Sequence, residues 1–228
     1  MIKGIDLDIT YKHIVGLIKT IDKTYPLQSH HYMTFEDVDF KGKVLDIGSG
    51  CCEFGIVAKL MKPQIEMYCI DNNQFVAALG KFLAVKAKAD IFVFAEEIEN
   101  FTESFCDADF FDIVVLSHVA EHVKDLDGLF KIVNRIIKKT GVIYLSFPHL
   151  NAHDSPEHVH YFSTKDKSMV NSEFHGMQKC INIDRYLKKL GYESEILLFD
   201  EEKADIRHPH KSRGQLDYFI KIKYGGEK

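Results

Sequence analysis

From Lys43 onward, short apolar runs alternate with stretches whose apolar residues recur at helical spacing. Residues 44–47, 67–70, 91–94, 111–116 and 142–147 read as strands. Between them, Phe54, Val57, Ala58 and Met61, then Phe75, Ala78, Leu79 and Phe82, then Leu129, Ile132, Val133 and Ile136 trace apolar helical stripes, the last closed at Thr140-Gly141. A further helix carries Ile183, Tyr186, Leu187 and Leu190, and residues 193–199 and 216–224 read as two final strands. Strands apolar on both faces and separated by helices predict a buried parallel sheet. Near the N-terminus, Ile14, Leu17, Ile18 and Ile21 form one more amphipathic stripe, stopped at Pro26. The expected organisation is an N-terminal helical segment, residues 1–40, that packs outside the sheet or lids its ligand face. An α/β domain over 41–228 follows it, with a polar, His-rich insertion at about 150–180.

In such sheets, ligands sit beyond the C-terminal ends of the strands. Asp46, Asp71, Glu97, Ser117, His118 and His149 all lie at those ends and are expected to cluster. The first of them opens a turn: Val44-Leu45-Asp46-Ile47-Gly48-Ser49-Gly50 runs from strand through glycines into a helix. This architecture presents backbone N–H groups to a ligand. A dinucleotide fingerprint would continue G-x-G-x-x-G/A, but here Gly50 is followed by Cys51-Cys52-Glu53, and a P-loop signature is absent. Glu53 at the helix start disfavours a pyrophosphate. Asp71 is placed to accept from ribose hydroxyls, Asp46 to orient a cationic amino-acid portion, and Glu97 or Glu96 to accept from an adenine amino group. Together these describe S-adenosylmethionine.

Composition narrows the picture further. The chain has 228 residues, 46% hydrophobic, which suits one sizeable core. Its net charge of -5 comes without a basic block, so the sequence supports no phosphate-backbone footprint. Cys51, Cys52, Cys69, Cys106 and Cys180 show no paired metal spacing and read as free thiols in a reducing compartment. With no signal-peptide pattern and no apolar run near the ~20 residues of a membrane span, the expectation is a cytoplasmic protein.

The ordered motifs Val44–Gly50, Ile70-Asp71, Glu97-Ile98 and Phe111-Asp112-Ile113-Val114-Val115 resemble those of class I S-adenosylmethionine-dependent methyltransferases. His118-Val119-Ala120-Glu121-His122-Val123 is similar to the stretch after the fourth strand in the branch containing ubiquinone-biosynthesis O-methyltransferases. The resemblance covers residues 40–150 well and 156–199 more loosely. It implies a Rossmann-like seven-stranded, mostly parallel sheet with an antiparallel last strand and helices on both faces. It also implies that Gly48 and Gly50 approach the cofactor, that Asp71 holds the ribose, that Glu97 with Ile98 meets the adenine, and that Ser117 lies near the sulfonium. Asp46, Ser49 and Asn72 complete the expected cofactor-binding set. Two departures stand out: Cys52 where many members have a third glycine, and Glu97 where Asp is usual.

Methyl transfer from so reactive a donor depends mostly on alignment, and a hydroxyl acceptor gains from a general base. Imidazoles are abundant after the fourth and fifth strands, at His118, His122, His149, His153, His158 and His160. His149, at a strand end, is the first choice for a catalytic role, and His158 reads as structural. His118, Glu121 and His122 have H-x-x-E-H spacing, but the setting argues against a protease-type zinc motif. Relatives with E-x-x-E-H here bind a divalent ion, and many with only the Glu-His pair bind none. The sequence therefore leaves a metal open at these residues without favouring one, and His118 would suit an ion softer than magnesium. The expected function is methyl transfer to oxygen or nitrogen of a small polar molecule, with no membrane partner and no sequence support for a nucleic-acid one. The alternatives are a metal-assisted O-methyltransferase acting on a hydroxyl, such as the 2′-OH of RNA, or a non-catalytic cofactor-binding subunit.

Overall fold

The computed structural model describes residues 39–148, 154–198 and 217–224. The N-terminal amphipathic stretch, His149, His153 and the charged segment around 201–214 lie outside the described residues.

The predicted strands from 44 to 147 form, as do the helices between them, and a short helix that the sequence reading lacked follows the third strand. Strand β1 (Lys43–Ile47) leads into α1 (Glu53–Met61), β2 (Glu66–Asp71) into α2 (Gln74–Ala87), and β3 (Phe92–Ala95) into α3 (Ile98–Ser104). Next come β4 (Phe111–Ser117), α4 (Leu126–Ile136) and β5 (Ile137–Pro148). After three short strands, α5 (Ile183–Lys189), β9 (Tyr192–Leu198) and β10 (Asp217–Tyr224) close the chain order. The main sheet has seven strands in the order β3-β2-β1-β4-β5-β10-β9. Neighbours from β3 to β5 are parallel, while β10 runs antiparallel to both β5 and β9. The expected fold class, with its antiparallel last strand, is the observed one.

Alternation along the central strands feeds two cores. Leu45, Ile47, Val114 and Leu116 pack with Phe130, Val133, Ile136, Ile183 and Leu187 on one face. Val44, Ile113 and Val115 pack with Phe54, Ile56, Val57, Leu83 and Ala84 on the other. The sheet is thus covered on both sides, which is why its strands carry apolar residues at odd and even positions alike. Winding reverses between β1 and β4, so the loops leaving these two strands diverge and open a crevice at the carboxyl edge.

Two stretches differ from the sequence reading. Helix α4 stops at Ile136 rather than at Thr140-Gly141, because Ile137 already pairs with Phe111. The register then shifts before Ile113 meets Val142. Gly141 packs against Ile137, where a Cβ would stand 2.5 Å from Ile137 Cγ1. The polar segment read as a loop holds a second sheet: β6 (Tyr161–Ser163), β7 (Met169–Ser172) and β8 (Gly176–Asn182), in the order β6-β8-β7. Asp154 ties it together, accepting from Tyr161 Oη at 2.7 Å, Ser172 Oγ at 3.2 Å, and the backbone N–H groups of Ser155 and Glu173. Phe162 joins it to the main core, its ring centroid 4.9 Å from that of Phe147.

Candidate active site

The loop after β1 is shaped by three left-handed residues, Gly48 (φ 67°), Gly50 (φ 54°) and Cys52 (φ 60°). Gly48 is obligatory twice over, since a Cβ there would also lie 2.5 Å from Val119 Cγ2. At Gly50 a Cβ would meet nothing within 4 Å, so the backbone there faces open space and a ligand can come close. Cys52 explains the missing third glycine. It keeps the left-handed conformation that glycine adopts freely, at a cost of about 1–2 kcal/mol. Its buried sulfur fills the space left by a glycine on the neighbouring helix: a Cβ on Gly80 would stand 2.5 Å from Cys52 Sγ. Cys69 lies beneath, and its thiol is pushed to high pKa by a hydrogen bond with Cys52 and by burial. These thiols pack; they are not nucleophiles.

Asp71, at the end of β2, is held by the loops it joins. Its Oδ2 accepts from Gly50 N and its Oδ1 from Asn73 N, each at 2.9 Å. Each oxygen keeps a further lone pair for a ligand hydroxyl. Asn73 caps α2 by accepting from Phe75 N and Val76 N. Across the gap, Asn72 Nδ2 donates to Glu97 Oε1 at 3.1 Å, which fixes Glu97 at the head of α3.

These groups share a cavity of about 560 Å³, within the size range of small-molecule sites. Gly48, Gly50, Asp71, Asn72, Glu97 and Ile98 of the expected set line it, together with Glu96. Asp46, Ser49 and Ser117 are not on its wall. Asp46 is buried behind the loop, where burial pushes its pKa well above the usual carboxylate range, with Cys52, Glu53 and Asp71 acting in the same direction. Ser117 Oγ is 3.1 Å from Ser146 Oγ on β5. Ile47 and Ile70, which the sequence reading placed in buried strands, supply apolar wall together with Val76.

The opposite end is built by the loop after β4. His118 has a left-handed backbone (φ 55°), unusual for a residue other than glycine and characteristic of functional sites. Its N–H donates to Ser146 O at 3.0 Å. His118 and His122 line the cavity, as does Glu157 from the segment before β6. Glu121 lies behind them, 1% exposed, with Oε1 at 3.3 Å from His118 Nδ1 and 3.9 Å from His122 Nε2. His158 is brought in from far along the chain, its ring centroid 5.0 Å from that of His122. The H-x-x-E-H spacing exposed part of this cluster in sequence; nothing local to residue 158 could.

A family model for a methyltransferase domain matches residues 39–203. The chain belongs to this methyltransferase family. Curated proteins offer no significant match. Solved structures that share the fold include a SAM dependent methyltransferase from Archaeoglobus fulgidus, with 17% identity, TM-score 0.58, and 86% of this chain and 91% of that one covered. A SAM dependent methyltransferase from Aquifex aeolicus has 12% identity and TM-score 0.59, with 96% and 98% covered. The plantazolicin methyltransferase BpumL, in complex with SAH, has 12% identity and TM-score 0.56, with 96% and 89% covered. In this methyltransferase, no helix among the described residues is long and apolar enough to cross a membrane.

Proposed function

We propose that this methyltransferase takes its methyl group from S-adenosylmethionine and delivers it to an oxygen or nitrogen of a small polar molecule. The carrying observation is one continuous cavity. Its wall carries Asp71 and Glu97, two carboxylates able to accept from ribose hydroxyls and an adenine amino group, and also the imidazoles of His118 and His122. The named cofactor of the Archaeoglobus and Aquifex neighbours, and the SAH held by the plantazolicin enzyme, support the same donor. The loop sequence His118–Val123 supports the ubiquinone-type branch as the family context.

The chemistry is a single displacement. The acceptor lone pair attacks the methyl carbon, the carbon–sulfur bond breaks with its electrons left on sulfur, and the acceptor's proton passes to a base or to water. The chain's contribution is alignment: Gly50 lets the ligand approach the backbone, Asp71 fixes the ribose, and Glu97 with Ile98 fixes the adenine. On the described wall His118 is the imidazole best anchored for orienting an acceptor or taking its proton; His149, the first choice from sequence, lies outside the described residues. The acceptor pocket is completed by the insertion near 150–180.

Calorimetric titration with S-adenosylmethionine tests the reading. Micromolar binding that Asp71→Ala abolishes is the expected result; no binding, or equal binding by both proteins, overturns it. Release of S-adenosylhomocysteine across a panel of hydroxyl and amine acceptors then identifies the substrate. A metal-assisted transfer to a hydroxyl, RNA included, is the second reading, favoured by the buried Glu121 among imidazoles. Its mark is turnover lost to a chelator and restored by a divalent ion.

A further inference from the structure

The cavity wall carries charge of one sign. Asp71, Glu96, Glu97, Glu99 and Glu157 line it, and no Lys or Arg does so among the described residues. Positive charge was available, since the chain has 29 Lys and Arg against 34 Asp and Glu. Residues 149–153, which link β5 to the segment of Glu157, contain no Lys or Arg either. Apolar side chains such as Val119 and Leu129 stand among the acids and keep the local dielectric low. A cleft built in this way focuses its field and concentrates ions of the opposite sign.

Four of the five acids have a local reason to be there. Asp71 accepts from Gly50 N and Asn73 N, and Glu97 accepts from Asn72 Nδ2. Glu96, Glu97 and Glu99 stand at the start of α3, where exposed N–H groups favour negative charge. Glu157 is different. It lies outside any helix or strand, 35 residues beyond His122, and its carboxylate forms no ion pair with a Lys or Arg among the described residues. Backbone contacts hold its segment at the wall. The Glu157 carbonyl oxygen is 3.3 Å from His122 Nδ1, and Val159 N and His160 N donate to Glu121 O at 2.8 and 3.1 Å. The fold therefore delivers a carboxylate to the cavity beside an imidazole.

This placement bears on methyl transfer. S-adenosylmethionine presents a sulfonium to its acceptor, and a second cation beside it is repelled unless fixed negative charge stands close. Phosphates and carboxylates meet the reverse condition, a wall that repels them. We infer that the acceptor is a small molecule bearing a protonated amine, and that Glu157 selects it through a charge-assisted hydrogen bond to the ammonium. The inference rests on the S-adenosylmethionine reading. It names the charge of the molecule that docks, whichever of its atoms takes the methyl group.

Matched amines, alcohols and carboxylates on the same small scaffolds are the probes, with phenethylamine, 2-phenylethanol and phenylacetate as one such set. Each is offered to the full-length chain saturated with S-adenosylhomocysteine, and binding is read by saturation-transfer NMR. Amines are expected to bind roughly tenfold or more tighter than the alcohols, with carboxylates weakest and the margin shrinking at high salt. Glu157→Gln removes most of that margin and leaves the alcohols unchanged, while Glu157→Lys moves the preference to carboxylates. Glu157 is exposed, so both variants are expected to melt with the parent.

Amines that bind no tighter than alcohols, carboxylates that bind as tightly as amines, or an amine margin intact in Glu157→Gln overturn the inference. So does the absence of amine binding at millimolar concentration. Calorimetric titration of S-adenosylmethionine in the same preparations separates the two levels. Donor binding without an amine preference overturns this inference alone, and no donor binding overturns the reading beneath it.

Discussion

The two ends of the cavity are made differently. At the cofactor end the polar groups are already satisfied: both oxygens of Asp71 accept backbone N–H groups, Asn73 caps its helix, and Glu97 is met by Asn72. At the acceptor end, Glu121 is buried without a hydrogen bond among the described residues, and His118 holds a strained backbone. The first arrangement is preorganised, with its hydrogen bonds made before any ligand arrives. The other sets a buried carboxylate beside two imidazoles and holds His118 in a left-handed backbone, the kind of local strain that gathers at functional sites.

The largest expected effect lies at the cofactor end. Asp71→Ala removes a charged acceptor from Gly50 N and Asn73 N as well as the carboxylate proposed to hold the ribose. At about 1.5–3 kcal/mol for each charge-assisted bond, S-adenosylmethionine binding weakens by roughly a hundredfold or more in calorimetry. Retention of parental affinity would break the contrast between the two ends. Gly48→Ala acts where the ends touch, because the added methyl meets Val119 of the acceptor-side loop and the backbone must remain left-handed. A loss of about 2 kcal/mol, read by denaturant titration, is expected together with weaker cofactor binding.

Gly80→Ala is smaller and more local. It crowds Cys52 Sγ and should cost about 1–2 kcal/mol, and the double variant Cys52→Gly, Gly80→Ala should recover most of that loss. Additive losses in the double variant would show that the two positions do not share one space.

The smallest effect is a slope. Asp46 is pushed by burial to a pKa well above that of an unfolded carboxylate, about 3.9. Between those two values the folded protein keeps a proton that the unfolded chain has lost, so stability falls as pH rises through this window. Asp46→Asn removes the slope, and the melting temperature of the variant should gain on the parent from about pH 4 upward. A constant difference across pH would mean that Asp46 is charged in the folded state at every pH tested.

The sheet was legible because its signals are local. Alternating runs, glycine stops and helical stripes located β1 to β5 and the helices α1, α2 and α4 to within a few residues, while the seven-residue α3 carries too short a stripe to stand out. Where the reading slipped, a longer-range contact decided the outcome. Thr140-Gly141 resembles a helix end, yet Ile137 finds Phe111 and begins the strand four residues earlier than the glycine suggests. The strands β6 to β8 carry no continuous apolar run that marks a strand in sequence, and their stability comes from pairing with one another and from Asp154.

The sequence by itself determined the architecture and placed the glycine loop, Asp71 and Glu97 at strand ends that share one cavity, since each needs only its own neighbours to take its place. Cys52 shows the limit of that rule. Its departure from glycine became intelligible only once Gly80, on the next helix, was seen beneath its sulfur. Tertiary structure alone decided the acceptor end. Glu121 meets His158 only because two distant segments are hydrogen-bonded together, and the burial of its carboxylate beside imidazoles follows only when everything around it is in place.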